Sequence, residues 1–331
     1  MTKVTLIPGD GIGPEITAAA LQIIEKSGAD IEFEEYYAGV TALEKCGDIL
    51  PAETVANIEK NTVALKGPLT TPLGTGFRSV NVQLRKIFDL YANVRPSKNF
   101  KGIRTPFDGV DLITVRENTE GLYTGIEYEI NKDVTQAVRV ITRPSTERVI
   151  KYAFDLAVSQ GRKKVSVFHK SNIMKITDGL FTSVAEEIAK GYPGIECDYH
   201  IIDAACMKLV TNPEKFDVIV TSNLFGDIIS DLTSGLIGGL GLTCGSNIGK
   251  DAAIFEAVHG SAPDIAGQNI ANPTALLMAA VQMLYHIGQP DAAVKIQTAV
   301  ERTIEEGKYT TVDIGGNTSC SDYAKAVIDN M

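Results

Sequence analysis

Asp227 and Asp231 stand four residues apart in a run of leucine, isoleucine and glycine at 224–242. On a helix they share one face, where like charges at that spacing weaken the helix. A cation between them would relieve the repulsion, and hard carboxylate oxygens suit magnesium or manganese better than zinc. Asp203 follows a strand pattern at 197–202 and offers a third carboxylate. The opposite charge gathers upstream, where Ser79, Asn81, Arg85 and Arg95 fall within a short span and Arg116 follows. Guanidinium forks grip carboxylates through paired hydrogen bonds. Three of them converging would repel without an anion between them, and a di- or tricarboxylate fits that need. Arg78 and Arg104 read as solvated surface arginines.

Two glycine-bearing loops could approach a ligand. Gly9-Asp10-Gly11-Ile12-Gly13-Pro14 follows an apolar strand, but a dinucleotide fingerprint needs glycine or alanine three residues after its second glycine, where this chain has Pro14. The segment is therefore read as a structural turn, and a Rossmann assignment is rejected. The second loop, at 259–267, reads HGSAPDIAG, and its small residues allow close approach.

These groups need a scaffold, and the pattern supplies one. Strand candidates at 4–7, 31–37, 63–66, 110–115, 165–169 and 218–222 alternate with helical periodicity, as at 15–27, where Ile16, Ala19, Ala20, Ile23 and Ile24 share a face. Such alternation predicts an α/β fold with a largely parallel sheet. The β-branched stretch at 125–142 reads as an antiparallel hairpin, either an arm between subunits or a surface feature of one. The basic, proline-bearing stretch at 93–106 reads as an interdomain connection. Residues 273–287 form an apolar helix with Asn272 at its start.

Composition narrows the function classes. A formal net charge of -10 over 331 residues argues against a duplex nucleic-acid binder, which needs a basic face. No stretch is long and apolar enough to suggest a membrane span. Five scattered cysteines without a CxxC pair, and no visible secretory signal, lead to the expectation of reduced thiols in the cytoplasm.

Taken in order, LIPGDGIGPE at 6–15, LRKIFDLYANVRP at 84–96, RENTEGLYTG at 116–125, HKSNIMK at 169–175, NLFGDIISDL at 223–232 and HGSAPDIAG at 259–267 resemble the β-decarboxylating dehydrogenases of isocitrate, isopropylmalate and homoisocitrate. The resemblance runs nearly the whole chain. It implies an isopropylmalate-dehydrogenase-like two-domain fold, distinct from the Rossmann type. The large domain would take 1–97 and 238–331 and the small one 98–237, with the active site in the cleft and an arm at about 125–142 for dimerisation. Arg85, Arg95 and Arg116 would clamp substrate carboxylates, beside Ser79 and Asn81. Tyr123 would protonate carbon after decarboxylation. Lys170, from a neighbouring subunit, would help deprotonate the substrate hydroxyl. Asp227 and Asp231 would ligate Mg or Mn together with Asp203 of the other subunit.

The loop residues His259, Gly260, Ser261, Ala262, Asp264 and Ile265, with Asn272, would hold the adenosine half of the cofactor. Relatives using NADP carry lysine and tyrosine at the positions of Asp264 and Ile265, whereas a carboxylate repels a 2′-phosphate, so NAD is expected. Isopropylmalate enzymes place apolar residues where this chain has Ser79-Val80-Asn81, and a hydroxyl and an amide suit the extra carboxylate of isocitrate. Isocitrate is the expected substrate, in a homodimer with shared active sites or a higher oligomer. Homoisocitrate or 3-isopropylmalate oxidation, or a non-catalytic regulatory role, are the alternatives.

Overall fold

The structure is a computed structural model and describes residues 1–71 and 79–331, so Arg78 lies outside the described residues. The chain begins with β1 (Thr2–Ile7), α1 (Gly13–Ser27), β2 (Ile31–Glu35), α2 (Val40–Cys46), α3 (Ala52–Asn61), β3 (Val63–Lys66) and α4 (Val80–Ile87). It continues with β4 (Ala92–Lys98), β5 (Asp111–Glu117), β6 (Glu127–Asn131), β7 (Val134–Ala137), α5 (Arg143–Ser159), β8 (Lys164–His169) and α6 (Thr177–Ala189). Then come β9 (Glu196–Ile201), α7 (Ile202–Thr211), β10 (Val218–Thr221) and α8 (Asn223–Leu236). The last part is β11 (Cys244–Ile248), β12 (Ala253–Ala257), α9 (Thr274–His286), α10 (Pro290–Glu306) and α11 (Cys320–Asp329). Among the described residues no helix is long and apolar enough to cross a membrane.

Two compact units result. The first comprises Met1–Phe88, Asn99–Pro106 and Ile237–Met331, the second Asp89–Lys98 and Phe107–Leu236. The stretch at 93–106 is thus not one connection. Its first part is β4, paired antiparallel with β5 from Ala92↔Glu117 to Lys98↔Asp111, and only Asn99–Pro106 goes with the first unit. Pro96 and the basic residues disguised a strand, because proline disrupts a ladder only where its missing N–H is needed.

In the first unit the strand order is β2-β1-β3-β12-β11, parallel except for the antiparallel β11–β12 pair. Every residue of β3 and β12 is buried, which explains short apolar runs without alternation. Helix α1 buries Ile16, Ala19, Ala20, Ile23 and Ile24, and stops at Gly28 in the left-handed region. Helix α9 begins at Thr274 with Pro273 as its N-cap, so Asn272 is not the cap residue. It stands one position earlier, where its Oδ1 accepts from the Thr274 N–H at 3.0 Å in an Asx turn leading into the helix.

The turn at 9–14 is a structural knot. Gly9 and Gly11 have φ of 86° and 58°, and a Cβ would collide with the Pro68 carbonyl oxygen at one and that of Ser261 at the other. Asp10, 5% exposed, accepts from the backbone N–H groups of Val40 (3.1 Å), Thr41 (2.8 Å) and Thr70 (2.7 Å), and from the Thr41 hydroxyl (2.7 Å). Its carboxylate thereby caps α2 and anchors the strand exit after β3.

In the second unit the order is β4-β5-β10-β8-β9, with β5, β10, β8 and β9 parallel. Strands β6 and β7 form a separate antiparallel hairpin whose residues are all exposed, including Tyr128, Ile130 and Val134.

Replacing the buried Asp10 with alanine strands three part-buried backbone donors. Asp10→Ala should lower unfolding stability by about 3 kcal/mol, read from urea denaturation, and an unchanged midpoint would remove the carboxylate from its anchoring role.

Candidate active site

In the second unit the β4–β5 register places Asn93 opposite Arg116 and Arg95 opposite Thr114, so both arginines lie on one face of the pair. Helix α8 packs on these strands and presents Asn223, Asp227, Ser230 and Asp231, a polar stripe at helical spacing. Gly226 permits the approach, since a Cβ there would lie 2.5 Å from Arg116 Cγ. Arg116, 1% exposed, donates from Nη1 to Asp227 Oδ1 and from Nε and Nη2 to Asn223 Oδ1 at 3.0 and 2.8 Å. Arg95 donates from Nη1 to Asp231 Oδ1 (3.0 Å) and Ser230 Oγ (2.6 Å), and from Nε to Asn93 Oδ1 (2.8 Å). Its Nη2 also lies 3.7 Å from Asp227 Oδ1. The charge that the two aspartates require is thus met by guanidinium groups of the same unit.

Tyr123 joins this cluster, donating from Oη to Asp227 Oδ2 at 2.5 Å, with the Arg116 guanidinium 5.1 Å from its ring centre. Its loop is built from the end of β5. Glu117 accepts from the N–H and hydroxyl of Thr119 and from the N–H of Glu120, closing a tight turn. The Glu120 carboxylate then accepts from the N–H and hydroxyl of Thr142, just before α5. Burial pushes the Glu120 carboxyl up despite those two bonds.

Lys170 and Asp203 pair with each other on the same unit, and Lys170 holds the Asp203 carboxyl below its usual range. Asp178, 1% exposed, accepts from the Lys170 N–H at 2.6 Å and is paired with Arg139, whose Nη2 reaches Ser222 Oγ at 2.9 Å. Among the described residues no three His, Cys, Asp or Glu side chains are grouped to hold a metal ion. Asp227 and Asp231 are 39% and 58% exposed and suit a hard divalent cation, but Asp203 is not beside them in one chain.

In the first unit, Arg85 lies beside a buried carboxylate. Glu256 pairs with Lys66 Nζ at 2.8 Å, has Arg85 at 3.9 Å, and accepts from Asn247 Nδ2 at 2.7 Å. Burial alone would push the Glu256 carboxyl up, but Lys66 and Arg85 hold it down at about 2. Ser79 precedes α4 and is exposed, while Asn81 Oδ1 is buried with no partner among the described residues. Asn81 and Arg85, four apart, share a face of α4. Arg104 is exposed, as a solvated arginine would be.

The loop after β12 is clasped by the knot at 9–14. Ile12 N–H donates to the Ser261 carbonyl at 2.9 Å, and the Ser261 and Thr70 hydroxyls lie 2.5 Å apart. His259 Nδ1 bonds the Gly260 carbonyl at 2.9 Å, and burial pulls its pKa down. The neutral ring then carries its hydrogen on Nδ1, which leaves Nε2 a bare acceptor, buried without a partner among the described residues. Ala262 takes a left-handed φ of 38°, Gly260 and Asp264 are exposed, and Ile265 is half-buried. Asn272 donates to Asp313 Oδ2 at 3.0 Å.

A family model for isocitrate/isopropylmalate dehydrogenase matches residues 3–327. The chain belongs to that family. It is 54% identical to a solved isocitrate dehydrogenase from Methylococcus capsulatus, with a TM-score of 0.96 over 100% of this chain and 99% of that one. It is 50% identical to a mitochondrial protein of Arabidopsis thaliana named as a catalytic subunit of NAD isocitrate dehydrogenase, over 99% of this chain and 88% of that one. It is 49% identical to a mitochondrial protein of Dictyostelium discoideum named as a regulatory subunit of NAD isocitrate dehydrogenase, over 99% and 92%. The fold is therefore the family's α/β fold, and the rejection of a Rossmann assignment agrees with it. The expected cytoplasmic location is overturned, because these curated relatives are mitochondrial. Scattered thiols separate reducing from oxidising surroundings and cannot tell one reducing compartment from another.

Asn223, Glu256, Lys66, Asp178, Arg139, Thr70 and Asp313 escaped the sequence reading. Asn223 had a usable signal, since it stands four residues before Asp227 on the same helical face. Lys66 with Glu256, and Asp313 with Asn272, are joined only by folding.

The depressed Glu256 carboxyl stabilises the folded state fully above its ordinary value of 4.5, and that contribution fades as pH falls towards about 2. Glu256→Gln should therefore lower the urea midpoint more at about pH 7 than at about pH 3; an equal loss at both would show that the ionised carboxylate is not what matters.

Proposed function

We propose that the chain oxidises isocitrate with NAD and decarboxylates it to 2-oxoglutarate and carbon dioxide. The observation that carries this reading is the meeting of Arg95, Arg116 and Tyr123 on the carboxylates of Asp227 and Asp231 along one face of α8. Two guanidinium groups, a phenol and two hard carboxylates in one place match a polyanionic 2-hydroxy acid that is also held by a cation. The names of relatives near 50% identity support the substrate and the cofactor.

Arg95 and Arg116, with Arg85, Ser79 and Asn81, are assigned to substrate carboxylates. Asp227 and Asp231 would hold magnesium or manganese, with Asp203 supplied by a second chain, and the bound ion would acidify the substrate hydroxyl and stabilise negative charge on that oxygen. Lys170, paired with Asp203, is assigned to help deprotonate the substrate hydroxyl, and a bound nicotinamide would supply the hydride acceptor. After carbon dioxide departs, the Tyr123 hydroxyl gives its proton to the carbanion carbon. His259 Nε2 accepts from the adenosine portion of NAD, beside Gly260, Ser261, Ala262, Ile265 and Asn272. Asp264 accepts from ribose hydroxyls and disfavours a 2′-phosphate.

The second chain is proposed as another copy of this one, with the exposed β6–β7 hairpin as its arm. The relatives named as subunits favour assembly in general and make a related, non-identical partner the competing form. A relative named as regulatory is as similar as one named as catalytic, so overall identity does not separate those roles. The presence of Tyr123, Lys170, Asp203, Asp227 and Asp231 together favours catalysis.

Initial rates with isocitrate, homoisocitrate and 3-isopropylmalate, each with NAD and NADP and with or without magnesium, test the proposal. Isocitrate with NAD and magnesium should dominate, by about 100-fold over isopropylmalate. Faster turnover of either other acid, or none of any, would refute it. Asp264→Lys combined with Ile265→Tyr should raise the NADP-to-NAD ratio of kcat/KM by about 100-fold or more, and an unmoved ratio would clear this loop of cofactor choice.

A further inference from the structure

Asn223 opens α8, is 1% exposed, and spends both ends of its amide on separate parts of the site. Oδ1 accepts from Arg116 Nε and Nη2 at 3.0 and 2.8 Å, and Nδ2 donates to the Glu120 carbonyl at 3.0 Å. The amide cannot be turned round, because a guanidinium only donates and a carbonyl only accepts. One turn later on the same helix, Asp227 receives the other end of each arm, with Arg116 Nη1 on Oδ1 and Tyr123 Oη on Oδ2. A closed ring results: Asn223, Arg116, Asp227, Tyr123, and the backbone from Tyr123 to the Glu120 carbonyl.

We infer that Asn223 is a positioning residue that fixes the Arg116 clamp and the Tyr123 turn relative to each other. This rests on the proposed roles of Arg116 and Tyr123 and adds a mechanical link between them. The turn from Glu117 to Tyr123 reaches α8 at two points, the Asn223 amide and the Asp227 carboxylate. A substrate anion that draws on Arg116 competes for the group that Asp227 holds, and the amide keeps the Nε edge and the turn in register while it does so. Burial makes the link stiff, since a guanidinium edge or a carbonyl left unpaired there is costly.

The chemistry of the ring separates its two halves. Asn223→Asp keeps an acceptor for Arg116 but loses the donor to the Glu120 carbonyl and sets a carboxylate oxygen against it. Asn223→Ala removes both. Steady-state kinetics of the purified full chain with isocitrate, NAD and magnesium should show the Asp variant with KM within about 3-fold of wild type and kcat about 100-fold lower, because a small misplacement of the proton donor costs that much. The Ala variant should raise KM by about 10-fold as well. Thermal melts identify the folded protein, and if the Ala variant does not fold, the Asp variant carries the test. Folded variants with reduced melting temperature but wild-type kcat and KM would overturn the inference, as would an Asp variant altered only in KM. A wild-type chain with no isocitrate-dependent NADH formation would instead remove the functional reading beneath it.

Discussion

Arg116 and Arg95 lie nearly sealed on one face of the β4–β5 pair, and a buried guanidinium without counter-charge costs several kcal/mol. That cost shapes the second unit. The helix covering these strands cannot be apolar on its inner face, and α8 answers with Asn223, Asp227, Ser230 and Asp231 at successive turns. Gly226 brings it close enough for the bonds to form. The tyrosine turn, the arginine pair and the aspartates are consequently one hydrogen-bonded body. Under the proposed function such a body would hold the proton donor and the anion clamp still relative to each other, which is what catalysis by orientation requires.

The same arrangement explains how carboxylates for a cation can coexist with guanidinium groups. In the proposed function the arginines that neutralise Asp227 and Asp231 are also the groups assigned to substrate carboxylates. Under that function an arriving polyanion and its divalent ion exchange partners with groups already paired. Lys170 and Asp203 follow the same logic as a pair, anchored through Asp178 and Arg139.

The first unit depends on a different constraint. A loop of small residues can receive a cofactor only if its backbone is held, and HGSAPDIAG is held by the turn at 9–14 through Ile12, Gly11 and Ser261. Asp10 in turn fixes that turn from below. The glycines of the 9–14 turn serve backbone packing, as the failed fingerprint at Pro14 led one to expect. Nearby, Lys66, Arg85 and Glu256 form a buried ion cluster whose asparagine bond from Asn247 completes the carboxylate's satisfaction.

Local physical chemistry determined much of this protein in advance. Residue spacing gave the helical faces of α1 and α9, the parallel strands, the hairpin, the shared face of Asp227 and Asp231, and the failure of the dinucleotide fingerprint at Pro14. Ordered motifs gave the family. Tertiary structure alone decided that β4 is a strand despite Pro96, because a ladder partner outweighs local punctuation. It alone showed β11, whose CGSNI segment has no strand pattern, and β12 paired with it. It alone paired Arg116 with Asn223 and Asp227, residues over a hundred positions apart, and set Arg85 against Glu256. Charge in a sequence is only a count until folding chooses which opposite charge lies within a hydrogen bond's reach.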